Sequence, residues 1–285
     1  QHKAAGGKNG DLVKLVRRTL MELAMEGTLA PNTEAKVVLN LFSGGQSTDA
    51  PATALGLRPI HVDKMQQYPV GPDLTVQTRV STDLTEAPTG RMIKWICQRE
   101  QLDQQEVRVV AAGIPCHTWT QLNATLRPRN LHYRTKSGAP TTTDPARQQE
   151  AIEQTDLARN TAESIVAWIA EGAYKGEQRF FWIENGAKSL IKSQDFMKAL
   201  PEPKIASYCR YRNRLQQTAM YPAEKQTAIW TNIPEWKPLR CNHRVHEATI
   251  GGDSSRRPVI QGISKWATKR WTPEGLIKQL LENTL

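Results

Sequence analysis

Cysteine is scarce. Four in 285 residues are too few for the disulfide framework of a small secreted scaffold, and an intracellular reducing compartment is expected. Long apolar runs are missing as well: nothing approaches the roughly eighteen residues that a helix needs to cross a bilayer. The polar start, Gln1 to Gly10, has no apolar stretch of the secretory kind. It also has no initiating Met, as expected of a chain that is processed, incomplete or cut from a longer product. No internal repeat is visible.

What is present is a globular composition. Hydrophobic residues make up 39% and charged residues 23%, enough Val, Ile, Leu and Trp for a core and against wholesale disorder. Lys and Arg number 38 against 28 Asp and Glu, a formal net charge of +10. That balance suits a polyanionic partner, although subunits of large assemblies carry such charge too.

Residues 11–28 carry Leu12, Val13, Val16, Leu20, Leu23 and Ala24 at three- and four-residue spacing, which predicts a helix capped by Asp11. Ala35 to Phe42 reads as a buried strand, followed by a glycine turn and an Ala-rich helix over 48–57. Pro59 to Asp63 is the next strand, and Leu74 to Val80 a weaker third that leads to Asp83. A helix over 88–104 turns Met92, Ile93, Ile96 and Cys97 to the sheet. A strand from Glu106 to Ala112 then runs into Gly113-Ile114-Pro115-Cys116. Residues 124–146 lack periodicity and predict a long loop. Next come a helix over 147–172 and a strand at Arg179–Ile183 that ends in Glu184-Asn185-Gly186. A helix from Ser189 to Leu200, short strands at Ile205–Tyr211 and Thr227–Thr231, and a final helix opened by Thr272-Pro273-Glu274 complete the order.

This alternation predicts an α/β fold: a mostly parallel Rossmann-like sheet with helices on both faces and a small C-terminal annex. The expected division is an N-terminal helical extension over 1–30 and a main domain over 31–232. A reduced recognition or assembly segment over 233–270 and a helix over 271–285 that returns to the main domain complete it. Ligands in such sheets bind beyond the carboxyl ends of the strands. Three marked loops lie there, Phe42 to Gln46, Gly113 to Cys116 and Glu184 to Gly186, and one crevice would collect them.

The small residues of Phe42-Ser43-Gly44-Gly45 let the backbone approach a ligand, and Asp63 at the end of the next strand can accept both hydroxyls of a ribose. The spacing fits neither GxGxxG nor a phosphate loop, since no Lys-Ser/Thr follows. The pair points to a nucleoside cofactor, with a sheet of ordinary turns as the plainer reading. Cys116 follows Pro115 in an accessible strand-to-loop position, unlike the usual buried cysteine. Beside Glu184-Asn185 it supplies a nucleophile and a carboxylic acid on one edge of one sheet. Taken alone, a Pro-Cys pair is more often structural, and a strand-end Glu is often a solvated terminus or a cap.

Together these segments resemble the cytosine-C5 DNA methyltransferases. Val37 to Gly45 is similar to their first motif, Asp63 to their ribose-binding acid, and Asp83 to the acid at the adenine end of S-adenosylmethionine. With Asn40, Phe42, Ser43, Gly44, Gly45, Lys64 and Leu84, these positions form the cofactor site that the resemblance implies. Gly113 to Trp119 is similar to the catalytic Pro-Cys loop, and Phe181 to Asn185 to the strand with the Glu-Asn pair. Lys225-Gln226-Thr227-Ala228-Ile229-Trp230-Thr231-Asn232 resembles a late segment of the compact, divergent members of viruses, phages and mobile elements. The resemblance implies methyl transfer to C5 of cytosine through a covalent bond between Cys116 and C6. Glu184 would hold or protonate N3, and Asn185 and Pro115 would position both. Asn40 stands where the first motif usually has Asp, and His117-Thr118-Trp119-Thr120 replaces Gln-Pro-Phe-Ser after the cysteine. The span from 232 to 270 is short for a large target-recognition domain.

The cytosine must be flipped out or already single-stranded. DNA is the expected partner, with RNA open. Arg127, Arg129 and Arg134 are expected phosphate contacts, Lys225 a contact to the backbone or base edge, and Trp119 and Tyr133 candidates for base stacking. A solvated basic loop and ordinary packing are the plainer alternatives. Cys209 with Cys241-x-His243-x-x-His246 offers metal-type ligands without paired Cys-x-x-Cys spacing, and no metal is expected. One competing function is a catalytically inactive protein of the same fold, serving as a nucleic-acid-binding or structural subunit of a larger assembly. Another, a dinucleotide-dependent oxidoreductase, accounts for neither the Pro-Cys loop nor Glu184-Asn185.

Overall fold

A computed structural model describes residues 6–26, 28–43, 48–64, 79–120, 132–211, 223–242, 248–249 and 272–285; of 6–14, 79, 223, 224, 248 and 249 it describes the backbone only. Seven strands form one sheet: β1 (Val37–Leu41), β2 (Arg58–Asp63), β3 (Arg79–Ser81), β4 (Val107–Gly113), β5 (Phe180–Gly186), β6 (Lys204–Ser207) and β7 (Gln226–Thr231). Their order is β3-β2-β1-β4-β5-β7-β6. Neighbours pair in parallel throughout, except that β7 runs antiparallel to both β5 and β6. This is the doubly wound order with one reversed strand inserted before the last, and its switch point lies between β1 and β4. The expected fold class is therefore observed.

Side chains along each strand alternate between two cores. Val37, Leu39 and Leu41 of β1 share one core with Met21 and Ala24 of α1 (Gly6–Met25), with Ile93 and Ile96 of α3 (Met92–Arg99), and with Ala158, Ala162 and Ile165 of α4 (Pro145–Tyr174). Val38 faces the other way, into a core with Ala52 of α2 (Asp49–Ala54) and Leu276, Ile277, Leu280 and Leu281 of α5 (Glu274–Glu282). Burial on both faces explains why β1, β4 and β5 read as continuous apolar runs. Asp144 begins α4, its side chain accepting from the N–H groups of Ala146 and Arg147, with Pro145 in the first turn. No described helix is long and apolar enough to cross a membrane.

Several expected elements need correction. α1 starts at Gly6, so Asp11 lies inside it and not at its cap. Val16 and Leu23 of its apolar set are 49% and 39% exposed, while Met21 and Ala24 make the contact. Ser189 to Leu200 forms two short 3-10 turns, Leu190–Ser193 and Asp195–Ala199, where a helix is expected. The Ser189 hydroxyl accepts from Ile191 N–H, Ser193 donates to Leu190 O at 2.8 Å, and Leu190 N–H is drawn to Trp119 O at 2.9 Å. These local bonds compete with an α-helical ladder. The strand expected over 205–211 ends at Ser207 and continues as a turn, Tyr208–Arg210. Of the expected strand 74–80, residues 74–78 lie outside the described residues.

The expected loop 124–146 is partly ordered by its own bonds. Thr141 N–H donates to Tyr133 O at 2.8 Å and Thr135 N–H to Ala139 O at 2.8 Å, around Gly138 in the left-handed region at φ +87°. A Cβ at Gly138 would also stand 2.5 Å from the Gln194 side chain, so glycine suits this turn on both counts.

Candidate active site

The carboxyl ends of β2, β1, β4 and β5 lie side by side. Phe42 leaves β1 in the left-handed region at φ +58°, unusual for an aromatic residue, and its N–H is held by Val62 O at 2.9 Å. Ser43 follows, buried, and its hydroxyl has no hydrogen-bond partner among the described residues. Gly44 and Gly45 lie outside the described residues. Below this turn the Asn40 amide donates to Thr48 Oγ1 at 2.8 Å and meets His61 Nδ1 at 3.3 Å, while His61 Nε2 pairs with Asp49. Asn40 therefore secures the start of α2 from beneath. Nothing in the sequence reading singled out His61 and Asp49, since a His in an apolar strand and a helix-start Asp carry no mark of pairing.

Asp63 ends β2 and is buried. The exposed Lys64 reaches Asp83 Oδ2 at 2.9 Å, and Asp83 Oδ1 accepts from the N–H and hydroxyl of Thr85 at 3.0 and 2.7 Å. Partial burial works upward on the Asp83 carboxyl, but the Lys64 and Thr85 bonds outweigh it and hold the group below its usual range. Leu84 beside it is buried.

On the other side of the switch point, Gly113 of β4 pairs with Glu184 of β5. The Asn185 amide donates to Ile114 O at 3.0 Å while its oxygen accepts from Gly186 N–H at 3.0 Å. The strand that carries the acid thus grips the backbone next to Pro115. Cys116 is exposed, and its carbonyl accepts from Trp119 N–H at 3.0 Å to close a turn. Cys97 offers the contrast: burial pushes its thiol up to about 12.

Glu184 is held by donors from three segments. Its Oε1 accepts from the Tyr208 hydroxyl and lies 3.4 Å from Lys225 Nζ; its Oε2 accepts from the Thr272 hydroxyl. Burial, then the charge of Glu184 and their hydrogen bond, raise the Tyr208 hydroxyl well above its ordinary value, so it stays a donor. Lys225 Nζ also stands 4.3 Å from the Tyr208 ring centroid. Sequence reasoning missed Tyr208 and Thr272. Tyr208 falls in a segment read as strand, and Thr272 was legible only as a helix opening.

The expected nucleic-acid contacts divide. Arg127 and Arg129 lie outside the described residues. Arg134 is corrected: it is 2% exposed, its guanidinium bonded to Gly138 O, Thr155, Thr118 and Ala151 O, which leaves it no reach to a phosphate. Burial lowers its pKa to about 10, still charged at neutral pH. Trp119 is corrected too, since it is fully buried and cannot stack on a base. Tyr133 is half-buried, edge-on to His117 at 6.0 Å, and His117 Nε2 meets Glu150 at 2.5 Å. Cys209 is buried and Cys241 half-buried, while His243 and His246 lie outside the described residues. Among the described residues no group of three or more His, Cys, Asp or Glu is arranged to hold a metal ion.

No family model matches the chain, and no curated protein matches it. Among solved structures the chain is similar to a crystal structure of a Spodoptera frugiperda DNMT2 mutant, at 12% identity and a TM-score of 0.32. The match covers 73% of this chain and 53% of that one, so the chain spans about half the length of that protein. A likeness of this size carries no argument about activity, which is left to the geometry of the site.

Proposed function

We propose that the protein transfers a methyl group from S-adenosylmethionine to C5 of cytosine in DNA, through a covalent bond between Cys116 and C6. The observation that carries this reading is the pairing of Gly113 with Glu184, with Asn185 bonded to Ile114 O at 3.0 Å. A nucleophile and a carboxyl group leave adjacent strands at the same edge, and the residue beside the acid holds the nucleophile's loop. The Lys225–Asn232 segment speaks for the compact, divergent members of the cytosine-C5 family.

Phe42, Ser43, Gly44 and Gly45 would hold the cofactor over the end of β1, above Asn40, with Asp63, Lys64, Asp83 and Leu84 at the ends of β2 and β3. The described residues suit it: the buried Ser43 hydroxyl lacks a partner among them, and Asp63 ends β2, where an acid meets a ribose. When bound, S-adenosylmethionine supplies an electrophilic methyl group. Cytosine C5 is a poor nucleophile until a thiolate adds at C6. Cys116 makes that bond, its proton leaving to solvent or to a phosphate oxygen. Glu184 hands a proton to N3 as the bond forms and takes it back when the Cys116 thiolate leaves, so the charge rests on its own carboxyl group, among Tyr208, Lys225 and Thr272, and not on the ring. Once C5 carries the methyl group, loss of the C5 proton and expulsion of the Cys116 thiolate restore the ring. The base must leave its stack to reach Cys116. A net charge of +10 attracts the phosphates without reading sequence, and Lys225, beside Glu184, would meet the substrate backbone or the base edge.

The test is mass spectrometry of the protein incubated with S-adenosylmethionine and DNA containing 5-fluorocytosine, whose C5 fluorine does not leave as a proton does. The expected result is an adduct mapped to Cys116 and absent from Cys116→Ala. No adduct on DNA or RNA, together with no cofactor binding, overturns the reading in favour of a structural or nucleic-acid-binding subunit.

A further inference from the structure

Arg134 is a buried cation whose partners among the described residues are all neutral. Nη1 donates to Gly138 O at 3.0 Å and Thr155 Oγ1 at 2.9 Å, and Nη2 to Thr118 Oγ1 at 3.3 Å and Ala151 O at 2.6 Å. The guanidinium carbon stands 3.3 Å from the centroid of the Trp119 ring. These contacts come from three pieces of chain: the turn after Cys116, the first part of α4, and the turn at Gly138. Only a planar fork can bond along its edges and stack by its face at once; an ammonium cannot. For filling space alone, an apolar side chain would avoid the desolvation cost of a buried charge.

The Cys116 loop is held by other segments as well. Asn185 bonds Ile114 O at 3.0 Å, Leu190 N–H bonds Trp119 O at 2.9 Å, and Thr120 bridges to Ser189. Those holds all come from β5 and the turns after it. Arg134 supplies a further hold, tying Thr118 and Trp119 to Ala151 and Thr155 of α4. The Cys116 side chain is exposed, so the holds on its loop act on the backbone from which the thiol projects.

We infer that Arg134 is a positioning residue for the nucleophile, clamping Thr118 and Trp119 against α4 and so fixing the backbone that presents the Cys116 thiol. Its consequence for turnover rests on the proposed methyl transfer; the clamp itself does not. A displacement of about 1 Å in a reacting group costs on the order of 100-fold in rate. The variants are Arg134→Lys, which keeps the charge and loses fork and stack, and Thr118→Val, which removes one bond and nothing of the arginine.

In the full chain, hydrogen exchange in the peptide spanning Cys116–Thr120 is expected to quicken about tenfold in Arg134→Lys, with β1 and β4 unchanged. Turnover is expected to fall about 100-fold with KM for DNA within about twofold. Thr118→Val should move both in the same direction by less. Unchanged exchange over Cys116–Thr120 in a folded variant overturns the clamp. So does a raised KM with kcat intact, which marks a phosphate contact instead. If Arg134→Lys does not fold, Thr118→Val decides by the same exchange measurement. If the parent protein transfers no methyl group, the proposed function fails while hydrogen exchange still decides the clamp.

Discussion

Glu184 and Cys116 leave neighbouring strands at the same edge, yet their surroundings are opposite. Glu184 is 16% exposed in its side chain and both of its oxygens are engaged, by Tyr208 and Lys225 on one and Thr272 on the other. Cys116 is exposed, and the holds fall on its neighbours Ile114, Thr118 and Trp119. The difference follows from what each group demands. A carboxylate taken partly out of water needs donors on both oxygens, and those donors set its orientation. A thiol makes weak hydrogen bonds and must approach a ring and leave it, so the protein fixes the backbone and leaves the sulfur free.

The contrast breaks first at the nucleophile. Cys116→Ala should lower methyl transfer by roughly 10⁴-fold or more and abolish the 5-fluorocytosine adduct, with a melting temperature close to the parent's because the residue is exposed. Glu184→Gln comes next, with kcat expected to fall roughly 10²–10⁴-fold; single-turnover kinetics with pre-bound DNA would show whether the loss lies in chemistry. A loss confined to KM would place Glu184 outside the chemistry and dissolve the comparison.

Tyr208→Phe sharpens it. The substitution keeps the ring and removes one donor to Glu184, so a stability loss of about 1 kcal/mol in urea unfolding is expected, with roughly tenfold lower kcat. Thr272→Val removes the donor to the other oxygen and should act in the same sense. An unchanged kcat in both would make the cage a matter of stability alone.

The smallest effect separates the two kinds of cysteine. The Cys97 thiol is raised by burial from 9.0 to about 12. Between those values the unfolded chain has lost its Cys97 proton while the folded chain keeps it, so stability falls as pH rises above about 9. Denaturant midpoints measured across that range test the sign. Iodoacetamide at pH 8, followed by peptide mapping, should label Cys116 and leave Cys97 untouched until the protein unfolds.

Much of the fold was legible because its signals are local. β1, β4 and β5 are apolar runs between turn residues, and the reversed β7 still shows as an apolar run before Asn232. Ser189–Leu200 misled because hydroxyl bonds and a pull from Trp119 replaced the helical ladder there. α1 misled because periodicity shows that a face exists and does not say which stretch of it meets α4. In the site, Cys116, Glu184 and Asn185 were visible as residue types at strand ends. The donors to Glu184 were not, since Tyr208 and Thr272 stand 24 and 88 residues further along the chain.

By itself the sequence determined the alternation of strands and helices, the two-sided burial of the central strands, and the reactive types at their carboxyl ends. Each of these is carried by residue patterns a few positions long. Only the tertiary structure decided which groups satisfy Glu184, and that Arg134 lies under the Cys116 loop and not on the surface. Charge and polarity are written in the chain, but whether a polar group meets water or a partner depends on long-range packing. Two of the acceptors that hold Arg134, Gly138 O and Ala151 O, are backbone carbonyls, which every residue has and no side chain announces.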